Sequence, residues 1–342
     1  MIKEAISLLV VGQSLTMEQA AEVMKEMTTG QVTPAQFGAF VTALRMKGET
    51  ADEIAGLASV MRTKSIRVKI PEPVIDIVGT GGDNSRSFNI STAAAFVAAG
   101  AGIKVAKHNN RAMTSQCGSA DVLEALGIKI ELNADQVKDC LDKVGIGFMF
   151  APLFHPSMKF AAAPRRELGV RTIFNILGPL TNPALAESIV LGVASQELGQ
   201  RMIQVLKRLG SKHAMVVHSL NGMDEISVAG KSRVWELKDG KITSYQVSPQ
   251  DFGLAAAGVK TLAGGTPQEN AAILRAVLEG QKGPRRDAVI MNAAAGIAVG
   301  SSKNSAGLPA LKEGARIAQE AIDSGRALDK LNKLITLSRS YG

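Results

Sequence analysis

The sequence predicts an α/β protein in which a small all-helical domain is hinged to a larger α/β domain with a central mixed, mostly parallel sheet. Residues 1–65 carry only helix signals, and from Val74 onward strand-like and helix-like runs alternate. Hydrophobic residues make up 46% of the chain but aromatic residues only 4%, a balance typical of helices packed on a sheet. With 342 residues the chain exceeds the usual size of a single core. We assign residues 1–70, joined by part of 160–185, to the helical domain and 74–342 to the α/β domain.

The helical segment is defined by its start and stop signals. Capping-box patterns, in which a threonine is followed three residues later by Gln or Glu, start helices at Thr16, Thr33 and Thr50. Gly30 and Gly48 are suitable helix ends. Four short helices with short connectors are therefore expected, and the prolines that follow at 71 and 73 mark a hinge between the domains.

The second segment alternates between strands and helices. Composition predicts strands at Val74–Val78, Ile103–Ala106, Ser188–Val193, His213–Val217 and Glu225–Val228. Helices are predicted at Ser119–Leu126, Asn133–Val144, 267–280, 284–299 and 308–338, the last broken at Gly325. The stretch 164–183 mixes helix signals with Gly-Pro and Asn-Pro turns, and we assign no element to it.

Charge and cysteine content exclude several classes of protein. The net charge of +8 favours anionic ligands, but the basic residues are dispersed and the aromatic rings needed for base stacking are scarce. Two cysteines and four isolated histidines support neither a disulfide framework nor a zinc site. The N-terminus lacks a signal-peptide pattern, and no apolar run reaches the roughly 20 residues of a membrane span. We expect a cytoplasmic protein without nucleic-acid or membrane partners.

The most informative segment is a glycine-rich turn, GTGGDNSRSFNIST, at residues 79–92. It follows a predicted strand and leads into a predicted helix. Its glycines leave room for a ligand to approach the backbone, and the helix N-terminus adds positive potential. Asn89, Ser91 and Thr92 supply small polar side chains at the same end. The pattern indicates a cradle for a phosphorylated ligand.

A second polar block, KHNNRAMTSQCGSAD, occupies residues 107–121, just after a predicted strand. Lys107 can neutralise phosphate there, and Asn109 and Asn110 offer amide contacts. For Ser119, capping the following helix is as good an explanation as binding a ligand. The block as a whole favours a second anion-binding loop.

Acidic and basic pairs complete the candidate site. Asp224 and Glu225 follow a predicted strand and could bridge Mg²⁺ to a diphosphate. Arg165 and Arg166 could meet a substrate carboxylate through a bidentate fork, and the sequence alone does not choose between them. His108 and His155 are more simply explained as structural residues than as bases, and Trp235 lies in a strand-like run.

These blocks together resemble the anthranilate phosphoribosyltransferase family, whose members make N-(5-phosphoribosyl)anthranilate in tryptophan biosynthesis. The resemblance rests on the motifs GTGGD, FNIST, KHNNR, CGSADVLEALG, RRELGVRTIFNILGPLTNP, the element Met223–Glu225, GGTPQENAAILRAVLEG and KGPRRDAVIMNAAA. It covers nearly the whole chain. It implies a glycosyltransferase, specifically a pentosyltransferase, that transfers phosphoribosyl from phosphoribosyl pyrophosphate (PRPP) to anthranilate and forms a homodimer through its helical domain.

The resemblance also implies roles for individual residues. PRPP would be bound by Gly79, Gly82, Asp83, Ser87, Asn89, Ile90, Ser91, Thr92, Lys107, His108, Asn109, Asn110, Arg111, Ala112, Met113, Thr114, Ser115 and Ser119. Anthranilate would be bound by Gly79, Asn110 and Arg165, which favours Arg165 over Arg166 as the carboxylate ligand. Magnesium, at two ions per monomer, would be held by Ser91, Asp224 and Glu225. Lys107 and Asp83 would act in catalysis.

The chain departs from the family at two positions that bear on the site. Asn109 stands where the family usually has glycine, and asparagine tolerates a positive φ better than most residues. Ser219 stands where the family often has glycine. Two alternative functions remain open: a pyrimidine nucleoside phosphorylase, and a non-enzymatic nucleic-acid-binding protein of the same fold.

Overall fold

The structure is a computed structural model that describes residues 1–83, 85–112, 116–301 and 306–341. It has a small helical N-terminal domain and a larger α/β domain with a mixed, mostly parallel sheet, so the predicted architecture is confirmed. Among the described helices, none is long and apolar enough to cross a membrane.

The N-terminal domain is built from four helices with strong start signals. They are α1 (Ile2–Val10), α2 (Met17–Thr28), α3 (Pro34–Lys47) and α4 (Ala51–Lys64). Thr16, Thr33 and Thr50 each form the predicted capping box, in which the threonine hydroxyl accepts the N–H three residues on and the Gln or Glu there accepts the threonine N–H. The starts of these helices are therefore set locally.

The central sheet has seven strands among the described residues, in the order β3-β2-β1-β4-β5-β6-β7. They are β1 (Ile75–Gly79), β2 (Val105–Asn109), β3 (Ile146–Phe150), β4 (Ser188–Gly192), β5 (His213–Ser219), β6 (Ser232–Lys238) and β7 (Lys241–Val247). The first five strands pair in parallel, and β6 and β7 add antiparallel to β5 and to each other. Strand β1 pairs with β2 along one edge and with β4 along the other, so the strand order reverses direction at β1. Such a reversal opens a crevice at the carboxyl ends of the two central strands, where open α/β sheets bind ligands.

Helices cover both faces of the sheet. They are α5 (Ile90–Gly100), α6 (Ser119–Ala125), α7 (Ala134–Lys143), α8 (Ala151–Phe154), α9 (Lys159–Leu168), α10 (Phe174–Leu177), α11 (Gln196–Arg208), α12 (Pro267–Leu278), α13 (Pro284–Gly300), α14 (Gly307–Asp323) and α15 (Arg326–Arg339). Short 3₁₀ turns lie at Pro156–Met158, Gly178–Leu180, Pro249–Phe252 and Val259–Leu262.

Alternate residues of β1 point into two different cores. Ile75 and Ile77 belong to a cluster formed with α5, α13 and α14. Val78 belongs to a second cluster that also contains the helical domain and α11. Because successive side chains of a strand point to opposite faces, one face of the sheet packs against the helical domain and α11. The other face packs against the alanine-rich helices.

The structure corrects several details of the sequence prediction. Residues 225–228 form a loop rather than a strand, because the side chain of Asn292 on α13 accepts the N–H of Ile226 and donates to its carbonyl, both at 2.9 Å. Strand β2 continues to Asn109 instead of ending before Lys107. The hairpin β6–β7 was not predicted beyond the run that contains Trp235. In the unassigned stretch, α9 packs against α2 and α3 of the helical domain.

Candidate functional site

The glycine turn lies at the crevice between β1 and β4. Gly79 ends β1 and pairs in register with Gly192, which ends β4. The N–H of Thr80 donates to the carbonyl of Gly192 at 2.9 Å, so the turn is anchored to the neighbouring strand. Gly81 and Gly82 have φ of 66° and 77°, in the left-handed region that favours glycine.

The loop after β5 brings Asp224 against this turn. Its Oδ2 accepts the N–H of Gly81 at 2.7 Å. A Cβ on Gly79 would lie 2.4 Å from Asp224 Oδ2, and one on Gly192 would lie 1.6 Å from the main-chain oxygen of Asp224. The two glycines at the strand ends are therefore required by the close approach of the acidic loop.

Two further carboxylates stand beside Asp224. Asp83 Oδ2 accepts the N–H of Asp224 at 3.3 Å, and Glu225 Oε1 accepts the N–H of Ser91 in the first turn of α5 at 3.2 Å. Burial, and then the neighbouring Asp83, raise the pKa of Asp224 to about 7. Burial, and then Asp224, raise the pKa of Glu225 well above its ordinary value. The three side chains form an acidic cluster beside the glycine turn.

The oxygen atoms of this cluster fit magnesium, because carboxylate and hydroxyl oxygens are the usual protein ligands of Mg²⁺. A cation would also offset the negative charge of the carboxylates. In the described part of the chain, no three His, Cys, Asp or Glu side chains are arranged to hold a metal by themselves. A cation here would need further ligands from water or phosphate, which is how Mg²⁺ is commonly bound.

Lys107 lies beneath the acidic loop. Its side chain is only 2% exposed, and Nζ donates to the carbonyl of Ile77 at 2.5 Å. Burial lowers the pKa of Lys107, while the charges of Asp76 and Glu225 oppose that shift. The ammonium group is thus a buried counter-charge to the acidic cluster, placed below it rather than on the surface of the crevice.

Side chains replace main-chain pairing between β1 and β2. Among the described residues these strands pair in register only at Ile75 and Val105. Beyond that point Asp76 Oδ2 accepts the N–H of His108 at 3.3 Å and an amide hydrogen of Asn182 at 2.8 Å. Burial, opposed by Lys107, raises the pKa of Asp76 to about 6. Asp76 and Asn182 were not among the predicted site residues, because no local pattern distinguishes a buried strand carboxylate or a turn asparagine.

The start of α5 and the start of α6 meet through small polar side chains. Ser119 Oγ accepts hydrogen bonds from Thr92 Oγ1 at 3.2 Å and from Asn109 Nδ2 at 2.9 Å. The Asn89 amide donates to the carbonyl of Cys117 at 3.2 Å and accepts from Asn270 at 3.0 Å. Predicted binding residues from both polar blocks are therefore brought together.

Other residues that were predicted to bind PRPP lie near the contact between the starts of α5 and α6. Asn109 ends β2 without the positive φ that its replacement of glycine suggested. Ile90 is buried, and Ser87 Oγ accepts from Ser85 Oγ at 3.1 Å. The N–H of Asn110 donates to the Asn109 side chain at 2.8 Å.

The loop after β2 turns its arginine away from the acidic cluster. Arg111 Nη2 donates to Glu124 at 2.9 Å, and its guanidinium lies 5.4 Å from the ring centre of Phe150. The N–H of Ala112 donates to Asp121 at 3.0 Å. The predicted residues Met113, Thr114 and Ser115 lie outside the described residues.

The two candidate arginines on α9 differ in environment. Arg165 is partly buried, with its guanidinium 5.2 Å from the ring centre of Phe174, whereas Arg166 is exposed. Burial lowers the pKa of Arg165. No carboxylate in the described parts of the chain pairs with Arg165, so its charge is available to an anion.

The two histidines next to the site are buried and neutral. The rings of His108 and His155 are 5.0 Å apart. Burial, and then the other histidine, lower the pKa of His108 to about 3, and burial lowers that of His155 to about 4. Neither is a strong base at neutral pH.

Comparison with known proteins identifies the family. A protein of Dehalococcoides mccartyi named anthranilate phosphoribosyltransferase is 58% identical over 342 residues, which is 99% of each chain. The chain belongs to the anthranilate phosphoribosyltransferase family. Family models described as the helical bundle domain and the a/b domain of a glycosyl transferase family match residues 3–65 and 71–328.

Solved structures of the anthranilate phosphoribosyltransferase family share this fold. The enzyme of Thermus thermophilus has a TM-score of 0.91 and 43% identity, covering 98% of this chain and 99% of its own. The enzyme of Saccharomyces cerevisiae in complex with PRPP and Mg has a TM-score of 0.89 and 32% identity, covering 99% and 98%. Family membership supports the predicted transferase over the nucleoside phosphorylase and the nucleic-acid-binding protein.

Proposed function

We propose that this chain transfers the phosphoribosyl group of PRPP to the amine of anthranilate and releases pyrophosphate, a step of tryptophan biosynthesis. The observation that carries the proposal is the meeting of the acidic loop with the glycine turn and α5: Asp224 accepts from Gly81 at 2.7 Å and Glu225 from Ser91 at 3.2 Å. A yeast relative of the same fold is in complex with PRPP and Mg.

PRPP, the phosphoribosyl donor, is proposed to bind across the glycine turn and the start of α5. The positive potential and small polar side chains at a helix N-terminus suit phosphate oxygens. The shared hydrogen bonds of Ser119 with Thr92 and Asn109 support a continuous surface formed by both polar blocks. The proposed donor-binding set is the one implied by the sequence resemblance.

Magnesium is proposed to bind at Ser91, Asp224 and Glu225, with two ions per monomer. When bound, it would supply positive charge to the departing pyrophosphate. The buried carboxylates fit this role because a nearby cation lowers the free energy of their ionised forms. Asp83 is proposed to orient the acidic loop through its hydrogen bond with the N–H of Asp224.

Lys107 is proposed to act electrostatically. Its buried ammonium lies below Glu225 and contributes positive potential to the floor of the crevice, where negative charge develops as pyrophosphate leaves. The aromatic amine of anthranilate is neutral at pH 7, so no strong base is needed before the new bond forms. The lowered pKa values of His108 and His155 agree with that requirement.

Anthranilate is proposed to bind near Gly79, Asn110 and Arg165. The partly buried guanidinium of Arg165 matches a carboxylate through a bidentate fork. Its position on α9, which packs on the helical domain, supports an acceptor site between the two domains. Catalysis then depends on holding the amine in line with the anomeric carbon of the donor.

The domain limits and the assembly remain proposals. We assign residues 1–70 and part of 160–185 to the helical domain and residues 74–342 to the α/β domain, which the packing of α9 on α2 and α3 supports. A cytoplasmic homodimer formed through the helical domain is proposed from the family resemblance. Light scattering after gel filtration would measure the oligomeric state, and a monomeric mass would contradict the dimer.

The function is tested by the fluorescence of anthranilate. Purified protein should consume anthranilate only when PRPP and Mg²⁺ are both present, and pyrophosphate should appear in equal amount. Thymidine or uridine with inorganic phosphate serves as the control substrate pair. Phosphorolysis without consumption of anthranilate would contradict the proposal.

A further inference from the structure

Arg171 occupies a position at the glycine turn that none of the predicted roles includes. It lies between α9 and α10, and its Nη2 donates to the carbonyls of Gly81 at 3.0 Å and Thr80 at 3.5 Å. A Cβ on Gly82 would lie 1.7 Å from Arg171 Nη1. The absence of a side chain at Gly82 therefore leaves room for the guanidinium beside the turn.

The charge of Arg171 has no acidic partner in the described parts of the chain. Its Nη2 is used by two neutral carbonyls, and no described residue accepts from Nη1 or Nε. A guanidinium offers five donors in a planar fork. Most of that capacity, together with the positive charge, is left at the edge of a turn whose residue Gly81 already contacts Asp224.

Arg171 is also held by the N-terminal helices. Arg45, near the end of α3, donates from Nη1 to the main-chain oxygen of Arg171. The loop is thus attached to the helical domain through its backbone and to the glycine turn through its side chain. This two-sided attachment holds the guanidinium at the glycine turn.

We propose that Arg171 is a further donor-binding residue: Nη2 supports the turn, while Nη1 and Nε bind a phosphate oxygen of the PRPP diphosphate. Arginine suits this position because its fork can serve carbonyls and an oxyanion at the same time. The inference rests on the proposed function, since it assigns a ligand to the same crevice. It differs from a purely structural clamp, which would need only the contacts to Thr80 and Gly81.

The test compares Arg171→Gln and Arg171→Lys with Arg166→Gln, a matched loss of charge at an exposed arginine on α9. Binding of magnesium pyrophosphate is measured by titration calorimetry, and KM for PRPP and for anthranilate by the fluorescence assay. Loss of a charge-assisted contact should weaken pyrophosphate binding and raise KM for PRPP about tenfold to a hundredfold in Arg171→Gln. KM for anthranilate should stay unchanged, Arg171→Lys should be intermediate, and Arg166→Gln should match wild type.

Two results would overturn the proposal, and a thermal melt of each variant separates them from misfolding. Pyrophosphate binding by folded Arg171→Gln equal to wild type would show that no contact exists. An equal rise of both KM values with a lower melting temperature would assign Arg171 to a structural clamp. Failure of wild type to consume anthranilate would refute the proposed function instead, while pyrophosphate calorimetry would still decide the role of Arg171.

Discussion

The hydroxyl of Ser219 donates a hydrogen bond of 2.7 Å to the main-chain oxygen of Glu225. The same oxygen atom of Ser219 lies 2.6 Å from Ser232 Oγ and accepts the N–H of Ser227 at 3.1 Å. These contacts fix the acidic loop to the ends of β5 and β6. The acidic loop is therefore held by a hydroxyl that a glycine at position 219 would lack.

Replacing Ser219 by alanine should loosen the acidic loop. The loss of a buried hydroxyl that makes three hydrogen bonds should lower the free energy of unfolding by about 1–3 kcal/mol and raise the magnesium concentration needed for half-maximal turnover. Denaturant unfolding and magnesium titration measure the two effects. Ser324→Ala is the control, because it removes an exposed hydroxyl that donates to Glu320 at 2.6 Å. Equal magnesium requirements in both variants would contradict the prediction.

Gly192→Ala should disturb the site through its main chain. The new Cβ would lie 1.6 Å from the main-chain oxygen of Asp224, which has no flexible end to move aside. We expect a loss of about 1–3 kcal/mol of stability and of most turnover. Gly258→Ala is the matched control, since φ there is −72° and nothing lies within 4 Å of its added Cβ. Wild-type kinetics in Gly192→Ala would show that the acidic loop does not depend on this approach.

The double variant Asp224→Asn and Glu225→Gln should lose magnesium-dependent turnover while remaining folded. Asp224 is buried, Glu225 is partly buried, and the pKa values of both are raised, so neutral amides carry a smaller burial penalty. Losing one such electrostatic contribution typically removes about 3 kcal/mol of transition-state stabilisation, which lowers the rate about a hundredfold. The control pair is Glu131→Gln with Asp135→Asn, two exposed acids. Unchanged activity at limiting magnesium would reject the metal assignment.

Arg165→Ala should chiefly raise KM for anthranilate. The partly buried guanidinium is the proposed carboxylate ligand, and its loss should raise this KM about tenfold or more. Arg166→Ala, at the exposed neighbour, should leave it unchanged. A rise confined to PRPP would place Arg165 in the donor pocket instead.

Acid should destabilise the fold partly through His155. Burial lowers its pKa from 6.5 to about 4 in the folded protein, so between these values the unfolded chain binds more protons and stability falls as pH falls. Between about pH 7 and about pH 5, the free energy of unfolding of His155→Asn should therefore fall by about 2 kcal/mol less than that of wild type. Unfolding curves at both pH values measure this difference. Phe154→Leu, a buried neighbour that does not titrate, should keep the wild-type pH dependence.

Helix starts and the glycine turn could be predicted because their causes are local. The capping boxes at Thr16, Thr33 and Thr50 are complete within four residues, and the conformations of Gly81 and Gly82 follow from the turn itself. The turn's contacts with Asp224 and Arg171, in contrast, come from the fold.

Features fixed by distant residues could not be predicted from the sequence. The run from Glu225 has the alternation of a strand, yet the amide of Asn292 satisfies the backbone of Ile226 from another helix. Arg171 stands in a recognised block, but only the fold places its guanidinium on the carbonyl of Gly81. The burial of Lys107 also depends on the carboxylate of Asp76 in the adjacent strand.

The interruption of pairing between β1 and β2 has a consequence for how this enzyme tolerates change. Main-chain hydrogen bonds between strands do not depend on which side chains are present. The contact between β1 and β2 is instead made by the side chains of Lys107, Asp76 and Asn182. Substitutions at these three positions are therefore not independent. Double-mutant cycles among them should show strong non-additivity, and the three residues should be inherited or exchanged as one unit.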